Sequence, residues 1–292
     1  MTITIEFDNT ANGRIDRALY VHVDGAELYA EEYGPEHAPV LYYVHSGPGY
    51  NSHSFKTMMA EYLTQYRVVY ADQRGGGRSV GSGGEQPNVL ANDIGTVLAA
   101  LEIERAALIM HGFGALAGVH FATLHPKRVT HLIMMNPWVS LPVLATDLYR
   151  AALTTAGHAV PSDFPPGDAS LVDEAFALVN PKHLLDTMQF PVPQSRLHLE
   201  HIDAGSVIVN DQTEDLDMFW DVDVSAEVAT FTGPVVVLAG QYDQTSYPNQ
   251  VQLVLEAQPQ ALVAFLETGH YPFIDEPADL AEVIAQAVAV GN

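Results

Sequence analysis

Short apolar, β-branched runs alternate with longer stretches of helical periodicity along most of this 292-residue chain. Residues 3–7, 19–23 and 27–32 alternate apolar and polar positions, as antiparallel strands with one wet face do. Residues 40–45, 67–72, 106–111, 132–136, 234–240 and 262–267 are mostly continuous apolar runs (LYYV, VVYA, AALIM, LIMM, VVVLA). Strands of that kind need helices over both faces. Helical periodicity is predicted at 53–64, 88–102, 114–125, 248–257 and 277–289. Strand then helix, repeated, predicts an α/β domain on a doubly wound, mostly parallel sheet.

The alternation stops between Pro137 and Thr232, where the chain is Pro-interrupted and rich in Asp and Glu. Helices are predicted there at 141–157, 168–179 and 181–188, followed by less regular chain. The expected organisation is one core, residues 1–136 and 233–292, with a mainly helical cap at 137–232. A cap in that place lies over the C-terminal ends of the strands, where open α/β sheets bind ligands.

Composition narrows the function. Asp and Glu number 36 against 12 Lys and Arg, a formal charge of -24 that repels nucleic acid and anionic membranes. There is no cysteine, hence no disulfide, thiolate nucleophile or Cys-bound metal. The first ten residues, MTITIEFDNT, do not read as a signal peptide, and no apolar run nears the about 20 residues a membrane span needs. A cytoplasmic protein is expected, acting on a small molecule or short peptide, with the oligomeric state left open.

Four segments carry candidate chemistry. His45-Ser46-Gly47-Pro48-Gly49 follows a buried strand, and its glycines let backbone N–H groups approach a substrate oxygen. Asp72–Ser79, DQRGGGRS, is Gly-rich but has neither a P-loop nor an ordered GxGxxG pattern, and reads as a tight turn pinned by its Asp and Arg side chains. The third segment runs AALIMHGFGALAGVHFATL through a strand, a turn and a helix, as a nucleophile elbow does. The central residue is Gly112, which takes a positive φ without steric cost but offers no nucleophile. The -2 glycine of the elbow is Met110. A serine placed at 112 is expected to lie within reach of the catalytic histidine. In the fourth segment Asp243 (GQYD) and His270 (GHYPF) follow successive late strands, in the acid-then-histidine order of a hydrolase triad.

In this order, the segments resemble those of the proline iminopeptidase branch of the α/β hydrolases. HSGPG is similar to that family's HGGPG, DQRGGGRS to its DQRGxGxS, and HGFGA, GQYD and GHYPF to its elbow, acid and histidine loops. The resemblance covers residues 20–140 and 230–290 and implies an α/β-hydrolase fold with a cap. It implies Asp243 and His270 as a catalytic dyad and backbone oxyanion donors at Gly47 and Phe113. The family's serine does not carry over, because Gly112 stands in its place. Cap carboxylates that would read a substrate amine are Glu200, Asp217 and Asp221, while Ser46, His111, Trp138 and Tyr242 are further candidates for substrate contact. Ser46, in the HSGPG loop, and Thr245 and Ser246, beside the acid, are the hydroxyls considered as a relocated nucleophile, and none of them is expected on an elbow pointing at His270. His198-Leu199-Glu200-His201 with Asp203, and the acidic run 211–223, complete no metal pattern, so neither metal nor cofactor is expected.

The reading that follows is a hydrolase of a small amide, peptide or ester in which His270 is a general base and no serine attacks. The alternatives are a ligand-binding protein without turnover, and an aminopeptidase or esterase with a relocated nucleophile.

Overall fold

The computed structural model describes residues 2–47, 49–81, 87–162, 164, 167–208 and 219–290. Three strands open the chain: β1 (Thr2–Asp8), β2 (Arg14–Val23) and β3 (Ala26–Pro35), paired antiparallel as their alternation predicts. The apolar runs then become β4 (Val40–Val44), β5 (Arg67–Ala71), β7 (Ala106–His111), β8 (Val129–Met135), β9 (Val235–Gly240) and β10 (Leu262–Leu266). A two-residue strand, β6 (Val80–Gly81), pairs with β3. The sheet order is β1-β2-β3-β5-β4-β7-β8-β9-β10, with parallel pairing from β5 to β10.

Helices α1 (His53–Met59) and α11 (Pro277–Ala289) cover one face, and α2 (Pro87–Ala100), α3 (Gly114–Leu124) and α9 (Asn249–Ala257) the other. The strands supply both faces by their two-residue period. In β7, Leu108 and Met110 enter the core beneath α2 and α3, while Ala107 and Ile109 enter the one beneath α1 and α11. Tyr42 and Val44 of β4 divide from Leu41 and Tyr43 in the same way. That double burial is why the central runs are apolar throughout. The expectation of cover on both faces fails for β10, the edge strand, where Leu262 and Phe265 are half exposed.

Between β8 and β9 lie α4 (Leu141–Thr155), α5 (Leu171–Leu178), α6 (Pro181–Gln189), α7 (Pro193–Asp203) and the single turn α8 (Ser225–Val228). The expectation of less regular chain after residue 188 is wrong over α7. Pro191 and Pro193 look like breakers, but Pro193 is the first residue of the helix, where its fixed φ suits the first turn and its missing N–H costs nothing. Leu199 of α7 packs into the α1 core, while Leu144, Leu148, Ala175 and Leu184 of α4, α5 and α6 continue the α2–α3 core. The remaining short helix, α10 (Pro272–Asp275), follows β10. No helix among the described residues is long and apolar enough to cross a membrane.

Candidate active site

The ends of β4, β7, β8, β9 and β10 bring the predicted residues together. Asp243 and His270 are both fully buried, and His270 Nδ1 lies 2.7 Å from Asp243 Oδ2. The other carboxylate oxygen accepts from Thr245 N–H at 2.9 Å and from Thr245 Oγ1 at 2.6 Å. Trp138 donates its indole N–H to Thr245 Oγ1 at 3.2 Å, and its ring lies 5.2 Å from that of His270 at a tilt of 30°. Asp243 is thus oriented through Thr245, and His270 is held from one side by a carboxylate and from another by an indole.

The backbone of His270 is held as firmly. Asn136, at the end of β8, takes a φ of +44°, which Asn tolerates better than most side chains. It donates to Gly269 O at 2.9 Å and His270 O at 3.0 Å, and accepts from Gly240 N–H at 2.7 Å. One amide therefore ties the acid-bearing and histidine-bearing loops to β8. Its sequence signal is a lone polar residue closing the run LIMM. His270 N–H donates to Gln189 O at the end of α6, which links the cap to the same loop. His111 Nε2 donates to His270 O at 2.8 Å, and Tyr43 OH lies 3.3 Å from the other ring nitrogen. Burial first, then the nearby His270, depresses the His111 pKa well below the ordinary histidine value. His111, expected to touch substrate, is a neutral ring behind His270 with both nitrogens engaged.

Gly112 has a φ of +48°, the left-handed region that the elbow requires. Its N–H donates to Met135 O at 3.1 Å, and its carbonyl accepts from Trp138 N–H at 3.0 Å. A Cβ here would overlap Ser46 Oγ and stand 2.8 Å from His270 Nε2. The expectation that a serine at 112 simply regains reach of His270 therefore changes. The dyad and Ser46 already crowd the place where such a side chain begins. His270 Nε2 is buried and has no hydrogen-bond partner among the described residues.

The HSGPG loop follows β4. His45 Nε2 accepts from Gln73 N–H at 2.8 Å, so Nδ1 carries the proton and donates to Ser46 O at 2.5 Å. Burial lowers the His45 pKa, in keeping with a neutral ring. Gly47 has a φ of +145°, and a Cβ on it would press on Tyr50 N at 3.2 Å. Phe113 is the N-cap of α3; its ring is buried against Phe219 at 4.9 Å, and its N–H has no acceptor among the described residues. The DQRGGGRS turn is structural, as expected. Asp72 accepts from Ser52 N–H, Ser52 Oγ, Arg78 N–H and Arg78 Nε, and Arg74 grips Asp93 with two N–H groups. Burial opposes the charge on Asp72, yet Arg78 prevails and holds its pKa below the ordinary value.

The other candidates fall outside this cluster. Glu200 is half exposed and paired with Arg196 at 2.9 Å and Lys182 at 3.7 Å. Tyr242 is 48% exposed and lines an outer cleft of about 510 Å³ with Val192, His198 and Glu267. Asp221 is exposed, and Asp217 lies outside the described residues. Asp203 is a cap carboxylate that its sequence neighbours suggested only as a metal ligand. Tyr50 OH donates to it at 3.0 Å, and burial raises its pKa to about 6. Ser246 Oγ donates to Pro137 O at 3.0 Å, and Thr245 Oγ1 to Asp243. Of the three hydroxyls considered, Ser46 alone adjoins His270 Nε2 at the vacant elbow position. Among the described residues no cluster of side chains could hold a metal ion.

A sheet of this order, an acid after β9, a histidine after β10 and a left-handed elbow after β7 define an α/β-hydrolase architecture. Residues 39–277 match the α/β-hydrolase fold family. The proline iminopeptidase-related protein of Thermus thermophilus is 34% identical, with a TM-score of 0.81 over 94% of this chain and 97% of that one. The chain belongs to the α/β-hydrolase fold family, in its proline iminopeptidase-related branch. Proline iminopeptidase of Mycobacterium smegmatis, 20% identical with a TM-score of 0.69 over 92% of this chain and 96% of that one, shares the fold. RutD of Pantoea ananatis, named as a candidate carbamate hydrolase, is 30% identical over 154 residues, 49% of this chain and 56% of that protein. The chain spans about half the length, or less, of the curated relatives it matches.

Proposed function

We propose that the protein hydrolyses a small amide, peptide or ester, with His270 as general base, Asp243 as its orienting carboxylate and no nucleophile from residue 112. The observation that carries this reading is the buried, unpartnered His270 Nε2, on a ring whose Nδ1 meets Asp243 at 2.7 Å. A carboxylate on Nδ1 fixes the proton there and leaves Nε2 to accept one. Water gives a proton to Nε2 as its oxygen attacks the carbonyl carbon. The charge that develops on the carbonyl oxygen meets the N–H groups of Phe113 and Gly47. The bond to the leaving group then breaks, and the imidazolium returns the proton to that group. General-base catalysis supplies about 10²–10⁴-fold and an oxyanion donor about 10²–10³-fold, enough for useful rates without an acyl-enzyme.

The test is turnover of aminoacyl arylamides and small esters by the wild type, His270→Ala and Asp243→Asn. His270→Ala is expected to abolish turnover with binding largely kept, and Asp243→Asn to lower kcat more than it weakens binding. Undiminished turnover in His270→Ala refutes the assignment. Ligand binding by all three proteins with turnover by none identifies a binding protein instead.

A further inference from the structure

The vacant elbow leaves one question of mechanism: what holds the attacking water. His270 Nε2 and Ser46 Oγ both crowd the point where a Cβ on residue 112 would be, Nε2 at 2.8 Å and Oγ closer still. Both residues are buried, His270 completely and Ser46 at 4% exposure. Nε2 has no hydrogen-bond partner among the described residues, and the Ser46 hydroxyl borders the same point. The Ser46 backbone is fixed by the His45 Nδ1–H bond to its carbonyl, and His45 by Gln73 N–H. The exchange of residues is also reciprocal. This chain has serine where the HGGPG pattern has glycine, and glycine where an elbow has serine.

Resting on the general-base reading above, we infer that Ser46 is the positioning residue for the attacking water, its hydroxyl and His270 Nε2 together holding one water molecule in place of the missing elbow side chain. A buried, unpartnered ring nitrogen and a serine hydroxyl that both border one point make the kind of seat that a water molecule fills. The water donates one O–H to Nε2 and the other to Ser46 Oγ, which leaves an oxygen lone pair for the carbonyl carbon. One proton passes to Nε2 as the C–O bond forms. It leaves with the amine or alcohol when the scissile bond breaks, and Ser46 ends unchanged. Holding a reactant in a fixed orientation lowers the barrier without strengthening substrate binding, so the effect belongs in kcat.

Two measurements test this. The first is a high-resolution crystal structure of the wild type, expected to show a water within hydrogen-bond distance of both atoms. Direct bonding of Ser46 Oγ to Nε2, or no water there, overturns the inference whatever the substrate. The second uses p-nitrophenyl acetate and prolyl p-nitroanilide with Ser46→Ala and Ser46→Thr. Ser46→Ala is expected to lower kcat about 10–100-fold with KM within twofold, and Ser46→Thr, which keeps a hydroxyl, to recover most of it. Equal losses in the two variants, or an unchanged kcat in Ser46→Ala, overturn the positioning role. Stoichiometric fluorophosphonate labelling of Ser46 overturns it too, by making Ser46 the nucleophile. Activity that survives His270→Ala refutes the general-base reading itself. Activity lost in His270→Ala but normal in Ser46→Ala refutes only the role of Ser46.

Discussion

Putting a serine back at the elbow shows how far the site has closed around its glycine. In Gly112→Ser the new side chain meets two costs. Position 112 has a φ of +48°, where a non-glycine residue is strained by about 1 kcal/mol. Its Cβ also collides with Ser46 Oγ and falls 2.8 Å from His270 Nε2. Ser46 Oγ ends a short side chain and swings aside cheaply. His270 does not, being held by Asp243, Trp138, Asn136 and His111. Overpacking against such a neighbour costs about 1–3 kcal/mol, so the variant is expected to lose roughly 2–4 kcal/mol in all. Urea unfolding of the wild type, Gly112→Ser, Ser46→Gly and the double variant measures this. The double variant removes the nearer clash and is expected to regain about 1 kcal/mol, appearing as coupling between the two sites. A fluorophosphonate is also expected to label the introduced hydroxyl faster in the double variant than in Gly112→Ser alone. The reasoning fails if Gly112→Ser costs less than about 0.5 kcal/mol, or if the two substitutions add without coupling.

Four further outcomes follow from the contacts around the site. Asn136→Ala strips partners from Gly240 N–H and from the Gly269 carbonyl, and should cost about 2–4 kcal/mol in urea unfolding while lowering kcat through the loosened His270 loop. Asp72→Asn breaks a buried pair with Arg78 and should cost about 3–5 kcal/mol by the same assay. Glu200→Ala should change stability by less than about 1 kcal/mol and leave KM for free-amine substrates within twofold, because Arg196 and Lys182 already neutralise an outward carboxylate; a tenfold rise in KM would restore it as an amine reader. Burial raises Asp147 to a pKa of about 6 from 3.8, so the folded state binds the proton more tightly and stability falls as pH rises through that window. Asp147→Asn keeps the Asn249 bond and should exceed the wild type by about 1 kcal/mol at pH 7.5, after allowance for partial exposure, and match it at pH 4 by thermal unfolding.

The sheet was legible because double burial writes itself into composition: AALIM and VVVLA have no polar residue to misread. The dyad was legible for a different reason, since Asp243 and His270 each follow such a run within a few residues. What escaped was set by contacts between distant segments. Pro193 starts a helix that only packing of Leu199 on the α1 core makes worthwhile, and a lone Pro-x-Pro gives no hint of that. His111 looked like a substrate contact because it adjoins Gly112. Its ring turns instead towards His270 O and Tyr43, partners 159 and 68 residues away in sequence. Asn136 and Thr245, which orient the dyad, are single polar residues whose role depends on loops that meet only in the fold.

The same contacts bear on whether the protein is a catalyst or a binder. Leaving a buried donor or acceptor unpaired costs about 1–3 kcal/mol, and His270 Nε2 is such an atom. A pocket that only encloses a ligand gains nothing from that cost, because an apolar side chain of similar size would fill the place more stably. Much of the surrounding structure nonetheless fixes this ring. Asp243 sets its tautomer, Thr245 and Trp138 set the carboxylate, and Asn136 and His111 hold the carbonyl behind it. Orientation of that stringency matters for a proton moved along a defined line to Nε2 and is superfluous for burial alone. Gly112 offers no side-chain atom to attack, and on the proposed reading His270 Nε2 is the atom that receives a proton. That combination suits a base acting on a mobile hydroxyl, and water is the hydroxyl that any pocket can obtain.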